Sequence, residues 1–307
     1  MNFEHKPVML YECLEGLRIK PEGIYLDGTA GGAGHSNEIA KRLMGGRLYS
    51  IDKDDDAIAT ATERLKQFEC AEVIKGDYKD AKLLLAGKTD SLDGALLDLG
   101  VSSFQLDSAE RGFSYNKEGM LDMRMSKEGV SAKDLVNTLR WQELADILRE
   151  YGEEPNAALI AKKIAKSREI GEIATTTQLT EIVTSALPAA VRRKEKHPAR
   201  QTFQALRIAV NNELEVLEEG LRNIFEMLSP GGRFCVITFH SLEDRIVKKY
   251  FASLEEGCTC PKDLPVCVCG NKPKAKAVTR KPITASAEES EDNRRARSAK
   301  LRIIEKI

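Results

Sequence analysis

The chain has 307 residues, 31% of them charged, with 47 Lys and Arg against 48 Asp and Glu. A net charge of -1 excludes a globally basic, polyanion-coating protein, so any nucleic-acid surface must be a local patch. The polar start Met1-Asn2-Phe3-Glu4-His5-Lys6 predicts no signal peptide, and no apolar run approaches the about 20 residues of a membrane span. Seven cysteines, an odd number, argue against a disulfide framework and for a cytoplasmic protein.

In chain order, strand-like runs are expected at Ile24–Leu26, Arg47–Ile51, Glu72–Lys75 and Gly94–Leu97. Helical patterns start near His35, Asp54 and Lys79 between them. This alternation implies a parallel sheet covered by helices. From about Asp107 to Arg200 only helical patterns follow: Ala132 to Tyr151, Asn156 to Ser167 and Thr177 to Leu187, punctuated by Gly152, Pro155, Gly171 and Pro188. The alternation resumes with one long helix, Thr202 to Leu228, a strand Arg233–Phe239 and a last strand Leu301–Ile304. The polar segment from Thr284 to Arg297 reads as a mobile loop. The organisation is therefore an α/β domain (1–106 and 201–307) interrupted by an all-helical insertion (107–200).

The run Tyr25-Leu26-Asp27-Gly28-Thr29-Ala30-Gly31-Gly32-Ala33-Gly34-His35 joins a strand end to a helix start through residues too small to block a ligand. With Asp52 ending the second strand, placed to accept from two ribose hydroxyls, this describes a nucleoside-cofactor site. A dinucleotide requires a third glycine where Asn37 stands, and Asp27 would repel its pyrophosphate. S-adenosylmethionine (SAM) is cationic and carries no phosphate. Acids at four strand ends, Asp27, Asp52, Asp77 and Asp98, favour SAM over NAD; any one of them alone is explained as a turn former or helix cap.

Longer blocks resemble the bacterial RsmH (MraW) methyltransferases. They are Asp27-Gly28-Thr29 with Gly34-His35-Ser36, the stretch Leu97 to Asp107, Glu110-Arg111-Gly112-Phe113-Ser114 and Leu121-Asp122-Met123-Arg124-Met125. Further blocks are His197 to Arg207, Phe239-His240-Ser241-Leu242-Glu243-Asp244-Arg245 and Arg294-Arg295-Ala296-Arg297-Ser298. The resemblance implies a class I SAM-dependent fold, Rossmann-like with a mostly parallel sheet and an inserted helical domain. It also implies methylation of the exocyclic N4 of a cytidine in the decoding region of 16S ribosomal RNA, within the small ribosomal subunit. It assigns cofactor contacts to Ala33, Gly34, His35, Asp52, Tyr78, Asp98 and Gln105. Many members carry glycine where this chain has Ala33. A non-catalytic ribosome assembly factor that keeps SAM as a structural ligand is the rival reading.

Cytosine N4 is a poor nucleophile, so catalysis is mostly positioning plus an acceptor for the amine hydrogen. That acceptor is Asp98, a serine hydroxyl or a backbone carbonyl; the Asp/Asn/Ser-Pro-Pro-aromatic motif of many amino-methyltransferases is absent. Phe104 either stacks on the base or packs in the core. His240, just after a strand, either touches substrate or caps a helix together with Ser241. Tyr78 either lies on adenine or is an ordinary half-buried tyrosine.

The densest basic stretch, Arg192, Arg193, Lys194, Lys196 and Arg200, is placed to bind RNA phosphates; a solvated charged loop is the alternative. Arg111 and Arg124 either position RNA or pair with Asp107 and Asp122. Two C-x-C pairs, Cys258 with Cys260 and Cys267 with Cys269, have the makings of a structural zinc site in a loop at 258–269. Cys13, Cys70 and Cys235 read as small buried hydrophobes.

Overall fold

The computed structural model describes residues 7–193, 197–257, 260 and 269–307. The chain divides into two compact units, Met1–Gly100 with Leu214–Ile307, and Val101–Glu213.

The first unit is built on a sheet of eight strands among the described residues: β1 (Ile24–Asp27), β2 (Arg47–Asp52), β3 (Ala71–Lys75), β4 (Leu92–Asp98), β5 (Leu228–Thr238), β6 (Ala275–Ala277), β7 (Ile283–Thr284) and β8 (Lys300–Lys306). The order is β3-β2-β1-β4-β5-β8-β6, with β7 also on β8. β1 to β5 run parallel, and β8 is antiparallel to β5, β6 and β7. Their side chains alternate between two cores, as a two-residue period demands. Leu26, Leu97, Phe234, Val236 and Ile304 join Leu217, Leu221 and Phe251 on one face. Tyr25, Leu96, Cys235, Ile237 and Ile303 join Leu17, Ile39 and Ala61 on the other. Burial on both faces is why these strands read as continuous apolar runs. The order reverses between β1 and β4, so the loops leaving their carboxyl ends part and open a crevice. This is the class I, Rossmann-like architecture that the resemblance implies.

The second unit packs the helices Ala132–Thr138, Trp141–Gly152, Ala157–Arg168, Thr176–Ala186 and Arg200–Asn211 around Leu144, Leu148, Ile160, Leu179, Phe203 and Leu206. Ser131 and Thr175 start two of these helices through capping boxes with Asp134 and Gln178.

Several expected boundaries are corrected. The pattern from Ala132 to Tyr151 is two helices, because Leu139 is extended and the Glu143 carboxylate starts a new cap at Arg140. The long helix expected from Thr202 to Leu228 is also two, Arg200–Asn211 and Glu213–Met227, broken where Asn212 turns left-handed at φ 49°. The helical unit accordingly ends at Glu213 instead of residue 200 and begins at Val101 instead of residue 107. Phe203, Ala205 and Leu206, expected in the sheet domain, are buried in the helical core. The segment from Thr284 to Arg297 is not a loop throughout. Ser286 accepts from Glu289 N and starts the helix Ala287–Asp292, whose Glu289 carboxylate accepts from Met9 N at 2.7 Å. The helix Leu10–Leu17 and strands β6 and β7 were not expected from the sequence.

Candidate active site

The loop after β1 is shaped by the acid beneath it. Asp27 is buried; Oδ2 accepts from Ser36 Oγ at 2.6 Å and Oδ1 from Thr29 N at 3.1 Å. Burial lifts its pKa, and the Ser36 and Thr29 hydrogen bonds oppose the lift. Asp27 therefore braces the loop. Gly31 and Ala33 are left-handed at φ 49° and 57°. Ala33 thus carries its Cβ in a region that costs about 1–2 kcal/mol for residues other than glycine. Gly34 starts the helix Gly34–Ala40; a Cβ there would lie 2.4 Å from Pro7 Cγ.

Asp52, half-buried at the end of β2, accepts from Gly31 N at 2.8 Å and Asp54 N at 2.9 Å. Burial raises its pKa. Each carboxylate oxygen has two acceptor positions, so capacity remains for hydroxyl donors. Across the strand reversal, Asp98 ends β4, and its backbone N–H donates to Thr29 Oγ1 at 2.6 Å. Thr29 thus ties the loop after β1 to the end of β4. Oδ1 of Asp98 is buried without a hydrogen-bond partner among the described residues, and Oδ2 lies 3.8 Å from His35 Nδ1. Burial pushes the Asp98 pKa up to about 6, with His35 opposing and Asp27 and Glu243 adding to the rise. His35 is buried and its Nε2 lies 3.0 Å from Val8 O; burial lowers its pKa.

Tyr78 opens a short 3-10 turn after β3 and is half-buried. Its ring lies against the helix Glu213–Met227 at Gly220, where a Cβ would come within 2.4 Å of Cδ2 and Cε2. His240 follows β5 and caps the helix Ser241–Glu255 itself, a part the sequence reading shared with Ser241. Its Nδ1 accepts from Glu243 N at 3.5 Å, its Nε2 is 3.0 Å from Glu243 Oε1, and Glu243 Oε2 accepts from Phe239 N at 2.8 Å.

In the helical unit, Gln105 is buried in a capping box, its Oε1 accepting from Ser102 N at 2.9 Å and its own N–H donating to Ser102 Oγ at 3.2 Å. Phe104 is 52% exposed, which removes the core-packing alternative. Arg192 ends the short helix Ala189–Arg192, Arg193 is exposed beside it, and Arg200 begins the helix Arg200–Asn211. Lys194 and Lys196 lie outside the described residues. His197 stacks on Tyr115 with ring centroids 4.6 Å apart, a contact the sequence reading missed. Arg124 pairs with Asp122 at 2.6 Å as one alternative held, while Asp107 accepts from Lys117 and Arg111 donates to the carbonyls of Arg124 and Met125.

Of the proposed zinc ligands, Cys258 and Cys267 lie outside the described residues; Cys260 is half-buried and Cys269 is exposed. Cys13 and Cys235 are buried and Cys70 is half-buried, as expected of small hydrophobes; burial pushes the Cys13 and Cys235 thiols well up.

A family model described as the MraW methylase family matches residues 2–307. The Ribosomal RNA small subunit methyltransferase H of Lachnospira eligens is 53% identical over 311 residues, covering 100% of this chain and 99% of its own. The protein of the same description from Heliobacterium modesticaldum is 50% identical over 312 residues, with 100% of both chains covered. Among solved structures, an rRNA methylase from Streptococcus thermophilus aligns with 100% of this chain and 99% of its own, at TM-score 0.42 and 11% identity.

Proposed function

The chain belongs to the MraW methylase family, and from that premise we propose that it transfers a methyl group from SAM to the exocyclic N4 of a cytidine in the decoding region of 16S ribosomal RNA. The observation that carries the site reading is Asp98: a strand-end acid at the sheet's reversal point with one buried oxygen left without a partner. That orphaned oxygen and the spare acceptor positions of Asp52 fit a ligand with an amine and ribose hydroxyls.

SAM, when bound, supplies an electrophilic methyl whose sulfur leaves with the bonding pair. The chain's own residues do the rest. The resemblance gives Ala33, Gly34 and His35 cofactor contacts, Asp52 accepts from the ribose, and Tyr78, backed by Gly220, presents its ring to adenine. The resemblance adds Gln105 to this set. Asp98 also accepts from N4 as the amine pyramidalises, holding it in line for attack. His240 is given the positioning part, fixing through its cap where the helix after β5 begins. Phe104 offers its exposed ring to a base, and Arg192, Arg193, Lys194, Lys196 and Arg200 offer charge to phosphates. The partner is the RNA of the small subunit and the setting is the cytoplasm. No helix among the described residues is long and apolar enough to cross a membrane.

Nucleoside mass analysis of ribosomal RNA from cells with and without the protein tests this reading. N4-methylcytidine is expected only with it, and C5-methylcytosine alone would overturn amine transfer. Bound SAM without labelled-methyl transfer to small-subunit particles would instead support the assembly-factor reading. We also propose that Cys258, Cys260, Cys267 and Cys269 hold one structural zinc, supported by their paired spacing. Metal analysis of protein purified without chelator should give about one zinc per chain; content that is unchanged when all four are Ser would defeat the idea.

A further inference from the structure

Amine methylation leaves a proton to be placed. Once N4 has given its lone pair to the methyl carbon it is cationic, and it becomes neutral only by losing a hydrogen. We propose that His35 and Asp98 form a one-proton dyad that takes this proton, Asp98 receiving it and His35 Nδ1 holding it. The inference rests on the reading of Asp98 as the group facing N4.

The geometry begins at Val8. A carbonyl oxygen only accepts, so His35 Nε2, 3.0 Å from Val8 O, carries a hydrogen and donates it. In the neutral ring the hydrogen is thereby fixed on Nε2, and Nδ1 presents a bare lone pair. That nitrogen lies 3.8 Å from Asp98 Oδ2. Two acceptors this close in a partly buried place repel, and one proton shared by the pair relieves the repulsion.

The surroundings set where that proton is held. Asp27 on β1 and Glu243 on the helix after β5 raise the proton affinity of Asp98, and Arg295 lowers it. Cys13, from the helix Leu10–Leu17, also feels the Asp98 charge, and burial keeps its thiol protonated. Burial raises Asp98 and depresses His35, so the two approach one another from opposite sides of their ordinary values.

The proton balance is complete within named groups. The N4–H bonding pair stays on nitrogen, the proton goes to an Asp98 oxygen, and it then moves to the Nδ1 lone pair. The resulting imidazolium keeps its Nε2–H bond to Val8 O, and the adjacent carboxylate stabilises it. The 3.8 Å gap is longer than a hydrogen bond, and a rotation of the Asp98 side chain or one bridging water closes it.

Nitrogen NMR of the ligand-free protein, which has four histidines, reads the dyad without any turnover. His35 should be the Nε2–H tautomer on its alkaline limb. Its titration midpoint should fall by about one pH unit in Asp98→Asn, because the neighbouring negative charge is lost. An Nδ1–H tautomer, or a midpoint unmoved by Asp98→Asn, would overturn the proposal. A second arm follows the single-turnover methyl-transfer rate at saturating SAM against pH. The wild-type rate should rise through the dyad's titration to a plateau. In His35→Asn the plateau should drop and the rising limb move to lower pH, since the shared proton loses the Nδ1 site that helps to hold it; an unshifted limb with an unchanged plateau would refute the relay. If the wild type makes no N4-methylcytidine, the functional reading fails while the NMR result still decides whether the dyad exists.

Discussion

Two half-buried aspartates, one in each unit, show how differently the two halves of the molecule treat a charge. Asp98 ends a sheet strand with one oxygen unpartnered and its pKa pushed up to about 6 by burial. Asp122 lies in a loop of the helical unit. Burial raises its pKa too, but hydrogen bonds from the Arg124 side chain and backbone outweigh that and hold it below the ordinary carboxylate range. The clasp around Asp122 is closed further by Arg124 donating to Gly129 O and by Asn211 bridging Met123 O and Met125 N. One acid keeps an oxygen without a hydrogen-bond partner among the described residues; the other is enclosed by donors.

The sharpest way to break this contrast is Asp98→Asn. Methyl transfer should fall by about 10²–10⁴. Ligand-free stability should move the other way. A carboxyl whose folded pKa is raised from 3.8 to about 6 stabilises the fold below the lower value and loses that contribution as pH rises through the upper one. Removing the charge should therefore stabilise the protein at pH 7 by up to about 3 kcal/mol, with no gain near pH 3. Denaturant melts at the two pH values check this, and destabilisation at pH 7 would remove Asp98 from the list of strained site groups.

Asp52→Ala is expected to weaken SAM binding by about 1.5–3 kcal/mol through the loss of charge-assisted ribose bonds, as calorimetry would read. Unchanged affinity in a folded variant takes Asp52 out of the site. Asp122→Asn carries the opposite pH sign to Asp98→Asn. A depressed carboxyl contributes stability above its unfolded pKa and loses it as pH falls through the folded one. The variant should be destabilised by about 1–2 kcal/mol at pH 7 and show a smaller difference in acid. A stabilised Asp122→Asn would mean that the two acids are not different in kind. The smallest effect belongs to the basic stretch. Replacing Arg192, Arg193, Lys194 and Lys196 with Ala should leave SAM affinity unchanged. It should lower the log–log salt slope of RNA binding by about 0.7–0.9 for each lost phosphate contact. An unaltered slope identifies a solvated loop.

Much of the sheet was legible because its strands obey local rules: apolar runs ended by acids, with glycines between them. Asp52 and Asp98 stand where those rules place them. Asp27 has the right position, but its bracing of the loop was hidden because its partner Ser36 is a small hydroxyl whose reach depends on the helix start being formed. Thr29 stands in one of the family blocks, but its link between the ends of β1 and β4 is not legible there, because it forms only when strands distant in the chain become neighbours. Gly220 behind Tyr78 was hidden for the same reason. Helix breaks at Leu139 and Asn212 were hidden because neither residue is glycine or proline, and the breaks come from a competing cap at Glu143 and a left-handed Asn. His240 was read as capping or catalytic on location alone; the cap is visible only once Glu243 is seen reaching back to Phe239 N.

One feature of the sheet bears on how the molecule is assembled. β8 follows every other strand in the chain, yet it lies between β5 and β6, and among the described residues β6 and β7 have no strand partner except β8. Until β8 docks, β5 presents an open, apolar edge carrying Phe234, Val236 and Ile237, the kind of edge that recruits other chains. Ion pairing between Arg233 and Glu305, 72 positions apart, closes the far end of that seam. Pairing so remote in sequence is entropically slow to form. The period before β8 arrives is therefore when this protein is most exposed to aggregation, and a backbone-breaking change such as Ile303→Pro would prolong it by releasing three strand pairings at once.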